Sequence, residues 1–142
     1  MSLLGPLWLD VAFSKMGVCE IPGPDFSREI SEFHDSIALD GTDEDTAWCS
    51  SFVNWCFEQC SIHGTNSRAA RSWLNWGVVL GRPALGCVTV FWRDSRESWK
   101  GHVFFYLFEA RGMLYGIGGN QGNEVCIEGY PKDRLLGHRW PA

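Results

Sequence analysis

Six cysteines and four histidines supply the nucleophilic and basic side chains of this chain, and their surroundings set one pair apart. Cys49 stands in Asp45-Thr46-Ala47-Trp48-Cys49-Ser50-Ser51-Phe52-Val53-Asn54-Trp55-Cys56, where Trp48, Phe52, Val53 and Cys56 recur at helical spacing. Asp45 or Thr46 is placed to cap the first turn. A thiol at the positive end of a helix is expected to have its pKa lowered from about 8.5 toward the reactive range. His102 opens an apolar run directly after Gly101, whose missing side chain lets another element approach. Asn120 stands among Gly118, Gly119 and Gly122 at the exit of the next β-like run, where antiparallel neighbours bring positions 102 and 120 to the same sheet end. Nucleophilic cysteine catalysis needs a thiol, a base and a group that orients the base. Cys49, His102 and Asn120 are the candidate set. The competing account is structural, with Cys49 a small core residue and His102 bonded to a backbone carbonyl.

The remaining candidates carry less. His34 lies inside an amphipathic run, His63 follows the cysteine helix, and His138 sits between Gly137 and Arg139, each in a surface or satisfied structural setting. Cys56 and Cys60 follow Cys49 along the same helix face and are expected in the core. Cys49, Cys56, Cys60 and His63 do not have a zinc-site spacing. The acidic stretch Asp40 to Asp45 lacks the alternating carboxylates and closing glutamate of a calcium loop. No metal and no cofactor are expected.

The elements that must position the candidate set can be read from the same chain. Leu7 to Met16 predicts a helix ended by Gly17, Pro22 and Pro24 make a rigid connector, and Ser27 to about Leu39 predicts a second helix with Ile30, Phe33 and Ile37 on one face. After the cysteine helix, Ala69, Ala70, Trp73 and Leu74 predict a short helix. From Cys87 the pattern turns to β, with runs at 87–92, 102–108, 113–117 and 124–127 and a last edge strand within 134–140. The 102–108 run is apolar on both faces and therefore central. Helices followed by an antiparallel meander make an α+β order.

With 142 residues the chain fits one domain, 1–142, and its 45% apolar and 14% aromatic content argues for a packed core. A formal charge of −5, with no two Lys or Arg residues adjacent, gives no footprint for nucleic acid or an anionic membrane. The first ten residues lack a basic n-region and reach Asp10 before a signal-peptide core forms, and no segment has the roughly 20 apolar residues that span a bilayer. Synthesis as a soluble, monomeric cytoplasmic product is expected, with any export needing outside help. Most of the six thiols are then expected to be free.

Three blocks carry a resemblance. Thr46-Ala47-Trp48-Cys49-Ser50-Ser51-Phe52-Val53-Asn54-Trp55, Gly101-His102-Val103-Phe104-Phe105-Tyr106 and Gly118-Gly119-Asn120-Gln121-Gly122-Asn123 are similar to the signature blocks of small CHAP-like proteins, within the NlpC-type branch of papain-like cysteine peptidases. The likeness extends to Ala70-Arg71-Ser72-Trp73-Leu74, Tyr130-Pro131 and Gly137-His138-Arg139-Trp140-Pro141. It implies a papain-like α+β fold, Cys49 as nucleophile, His102 as base and Asn120 as orienting residue. It also implies hydrolysis of an amide in peptidoglycan, within the stem peptide or at the glycan-peptide junction. Trp48, Trp73 and Gln121 are the substrate-contacting candidates, and aromatics at such spacings as Trp48, Trp73 and Trp76 also suit a core. A phage-type lysin and a delivered antibacterial effector with an immunity partner are equally open, acting on the wall after lysis or delivery. An acyltransferase or other amidase using the same triad, or a non-catalytic binding module on this fold, are the alternatives.

Overall fold

The computed structural model of the chain describes residues 5–19, 28–35 and 48–142. Helix α1, Leu7–Phe13, starts after Pro6, whose missing N–H costs nothing at a helix start, and buries Trp8, Leu9 and Ala12. The Trp8 indole Nε1 donates to the Gly86 carbonyl at 2.8 Å and ties α1 to the sheet side of the molecule. The helix ends before Met16, and the chain turns through Gly17 at φ +89°. Helix α2, Arg28–Asp35, buries Ile30 and Phe33. The expected continuation through Ile37 to Leu39, the Asp45 or Thr46 cap and the Asp40 to Asp45 loop lie outside the described residues.

Helix α3, Cys49–Gln59, is the element on which the others pack. Phe52, Val53, Cys56 and Phe57 are fully buried, and Phe33, Trp8, Trp73 and Phe105 place their rings around them. Such a helix draws its stability from tertiary burial, since each large side chain removed from water contributes roughly 1.5–3 kcal/mol. Cys60, expected in the core with Cys56, is only partly buried at the helix end. All six cysteines are free. The segment carrying Ala70 and Trp73 is a 3-10 helix, Ala70–Asn75, rather than an α-helix.

Six antiparallel strands form one sheet: β1 Val78–Leu80, β2 Val88–Trp92, β3 Gly101–Ala110, β4 Met113–Gln121, β5 Glu124–Pro131 and β6 Leu135–Trp140, in the order β1-β6-β2-β3-β4-β5. β3 is central and apolar on both faces. Val103 and Phe105 face the core with α3, while Phe104 joins Phe91 and Leu114 in a second cluster. The expected last edge strand is instead interior, because β1 pairs along the open side of β6 through Val78, Val79 and Leu80. β1 has three residues with two valines exposed, too short for a periodic signal. β4 and β5 each run further than the expected 113–117 and 124–127. Among the described residues no helix is long and apolar enough to cross a membrane.

Candidate active site

Cys49 is the first residue of α3, preceded by Trp48 at the N-cap, whose side chain makes no capping bond. The first-turn N–H groups of a helix have no intrahelical acceptor. Two of them, on Cys49 and Ser50, lie against the Cys49 sulfur, as does the Val103 N–H, from the residue that follows His102. α3 thus meets β3 at the position where the candidate base stands.

The helix start is held there by buried polar bonds. Ser50 Oγ donates to the Ser67 carbonyl at 2.6 Å and accepts from the Trp73 indole at 2.9 Å. Asn54 Nδ2 donates to the carbonyls of Ser50 and Ser67, and its Oδ1 accepts the Asn66 N–H at 3.0 Å. Gly119 of β4 allows the close approach: a Cβ there would sit 2.6 Å from the Trp48 ring and 2.9 Å from Phe52 Cβ.

His102 is buried, with its ring stacked on Tyr130 at 4.5 Å and edge-on to Phe104. Its Nε2 lies 2.9 Å from Gln121 Oε1. The Gln121 Nε2 donates to the Cys126 carbonyl at 2.6 Å, which fixes the amide so that its oxygen faces the imidazole. An amide oxygen only accepts, so His102 donates from Nε2. The neutral ring then carries its lone pair on Nδ1, the atom required for a general base.

The residue bonded to the His102 ring is therefore Gln121, where Asn120 is expected from the sequence. Between Gly118 and Gln121 the β4·β5 register shifts: Gly118 pairs with Cys126 and Gln121 with Glu124, so β4 carries one extra residue. Asn120 occupies the left-handed conformation at φ +58° inside this bulge. The extra residue reverses the alternation of faces, so Gln121 lands on the side of Gly118 and the His102 ring. Asn120 is half-buried, and the side chain bonded to that ring is the one of Gln121.

Protonation also departs from expectation. Burial pushes the Cys49 thiol up, against the lowering effect of the Val103 N–H, the Arg93 charge and the helix-start N–H groups. Burial pushes His102 down to about 4, with Arg93 adding to the fall and the Gln121 bond opposing it. The resting pair at neutral pH is thiol and neutral imidazole. A nucleophilic reaction at such a pair requires proton transfer to accompany attack, in place of a preformed thiolate.

A cleft of about 280 Å³ opens beside Cys49, lined also by Arg68, Ala70, Arg93, Asp94, Trp99 and Lys100. Its outer wall is the β2 to β3 loop, which Arg71 holds through three carbonyls: Nε to Lys100 at 2.8 Å, Nη1 to Arg96 at 2.7 Å and Nη2 to Ser95 at 2.9 Å. Trp48 and Trp73 do not line a groove, since both are fully buried in the core. Trp99, 78% exposed, is the tryptophan that faces the cleft. Its place in a polar loop gave no periodic signal. His138 is buried and bonds Thr89 Oγ1 at 2.8 Å, a satisfied structural setting away from this cleft, and His63 is exposed. The His34 side chain lies outside the described residues.

No family model and no curated protein matches this sequence. Solved structures do. The P60 domain of one antigen from M. avium subspecies paratuberculosis aligns at TM-score 0.55 and 15% identity, covering 93% of this chain and 89% of that one. The P60 domain of a second M. avium paratuberculosis antigen aligns at 0.53 and 13%, covering 96% and 90%. A Staphylococcus aureus protein described as similar to a lipoprotein of the NLP/P60 family aligns at 0.49 and 17%, over 87% of this chain, which spans 45% of that one. The fold is α+β and papain-like, of the NlpC/P60 type.

Proposed function

We propose that this chain is a cysteine amide hydrolase of the CHAP-like kind acting on peptidoglycan, within the stem peptide or at the glycan-peptide junction. One observation carries the reading: the Cys49 thiol at the start of α3 borders a cleft and lies against the Val103 N–H, next to a His102 whose tautomer Gln121 holds with Nδ1 unprotonated.

Cys49 Sγ attacks the amide carbon as His102 Nδ1 takes the thiol proton, and the imidazolium returns that proton to the leaving amine. Water then attacks the thioester with His102 again as base, freeing the acid and the thiol. The Cys49 backbone N–H supports the oxyanion formed in each step. Gln121 keeps the Nε2–H bonded throughout and stabilises the transient imidazolium.

Digestion of purified sacculi by wild type and by Cys49→Ala, with products identified by mass, tests this. Soluble amide-cleavage products from wild type alone are expected. No product from wild type, or equal product from both proteins, would sink the reading.

A further inference from the structure

We propose that Arg68 makes the cleft beside Cys49 a receptor for a carboxylate carried by the substrate close to the scissile amide, an inference that rests on Cys49 being the nucleophile. The Arg68 Nε and Nη2 atoms are shielded from water and have no hydrogen-bond partner among the described residues. The contrast with neighbouring arginines is direct: Arg71 satisfies three loop carbonyls, and Arg139 donates to Leu74 and His138 carbonyls. Buried donors on a cation are costly to leave unpaired, so this arginine stands ready for an acceptor brought from outside.

The two unpaired atoms define the acceptor's shape. Nε and Nη2 form one edge of the guanidinium, with parallel N–H groups that match the two oxygens of a carboxylate. The side chain is part of the cleft wall, so turning it toward an occupant breaks no bond to a described residue. The surrounding charge agrees. Among the described residues, Arg68, Arg93 and Lys100 line the cleft against Asp94 alone, and Asp94 is paired with Lys100 at 3.2 Å. The described lining of the cleft is thus cationic in a chain whose net charge is −5. It favours an anionic ligand over a neutral one of the same shape.

Alkylation of the native protein by iodoacetate and by iodoacetamide, followed at each thiol by mass spectrometry, reads this preference. The iodoacetate-to-iodoacetamide rate ratio at Cys49 is expected to exceed that at the exposed Cys19 by about tenfold, and Arg68→Gln to remove most of that excess. Equal ratios at the two thiols, or an excess that survives Arg68→Gln, overturn the proposal. Failure of Cys49 to react with iodoacetamide at all counts against the nucleophile reading instead. The carboxylate site is then decided by calorimetry on Cys49→Ala, using an acetylated Ala-Glu-Ala tripeptide and its fully amidated counterpart. Tighter binding of the acid by about tenfold, lost in Cys49→Ala/Arg68→Gln, supports the site. Equal or absent binding overturns it. Thermal unfolding separates a structural role: Arg68→Gln should match or exceed wild type, and a fall of several degrees overturns the proposal.

Discussion

The imidazole of His102 and the carboxamide of Gln121 meet at 2.9 Å, Nε2 to Oε1, and the Cys126 carbonyl on the far side of that amide decides which atom faces the ring. Two strands and a bulge are needed to make this contact. Replacing Gln121 by Leu removes the acceptor that holds the tautomer and supports the imidazolium. Hydrolysis should fall by roughly ten- to a hundredfold, as expected for a bond to a group that becomes charged. Asn120→Ala should change the rate by less than about threefold, because its side chain does not hold the ring. Steady-state release of product from purified sacculi by the two variants checks the order.

Burial lowers His102 to about 4. The reacting form is the neutral ring, so kcat/KM should stay level from neutral pH down to near pH 5 and fall through about 4. Stability follows with a defined sign. The unfolded histidine takes up a proton near 6.5 and the folded one does not until about 4, so the native state loses stability as pH falls across that window. His138, also lowered chiefly by its burial, acts in the same direction. Urea unfolding at pH 7 and pH 4.5 should show the loss, and His102→Gln should lose less on acidification than wild type. An equal loss in both proteins would contradict it.

Gly119→Ala places a methyl group 2.6 Å from the Trp48 ring. Both Trp48 and the β4 backbone are packed, so the clash must move the start of α3. A cost of about 1–3 kcal/mol is expected, seen as a lower Tm together with reduced turnover. An unchanged Tm would show that α3 does not need this approach.

Trp73 and Trp99 should separate core from cleft. Trp73→Ala removes a fully buried ring and the bond to Ser50 Oγ, and should cost about 3–5 kcal/mol in stability. Trp99→Ala alters an exposed side chain, so stability should change by no more than about 0.5 kcal/mol. The effect of Trp99→Ala should fall on KM. Denaturant melts and saturation kinetics on both variants check this.

Arg71→Ala frees the β2 to β3 loop from three charge-assisted bonds. Arg93, Asp94 and Lys100 ride on that loop or at its end, so substrate affinity should weaken more than the Cys49 alkylation rate. Comparing KM with iodoacetamide reactivity distinguishes the two.

Local pattern was enough to place the helix that begins near Cys49, the central strand that opens at His102, and the α+β order, because helical and strand periodicities are written over a few turns or pleats. It also singled out the glycines around position 119, whose small size serves the α3 to β4 approach. Other features depend on partners far away in sequence. The interior place of β6 needs β1, a three-residue strand recognisable only by what it pairs with. The bulge that exchanges Asn120 for Gln121 is a property of β4 against β5, and one residue of slip reverses every face beyond it. The helix start alone does not set the protonation of Cys49, since desolvation by the surrounding core outweighs the helix-end N–H groups. Trp48, Trp73 and Trp99 are alike in composition, and only packing decided that the first two fill the core while the third stands at the cleft. The sequence by itself determined which segments carry the thiol and the imidazole. Register and burial, which arise from contacts between distant segments, decided which neighbour orients the ring and which charge both groups hold at rest.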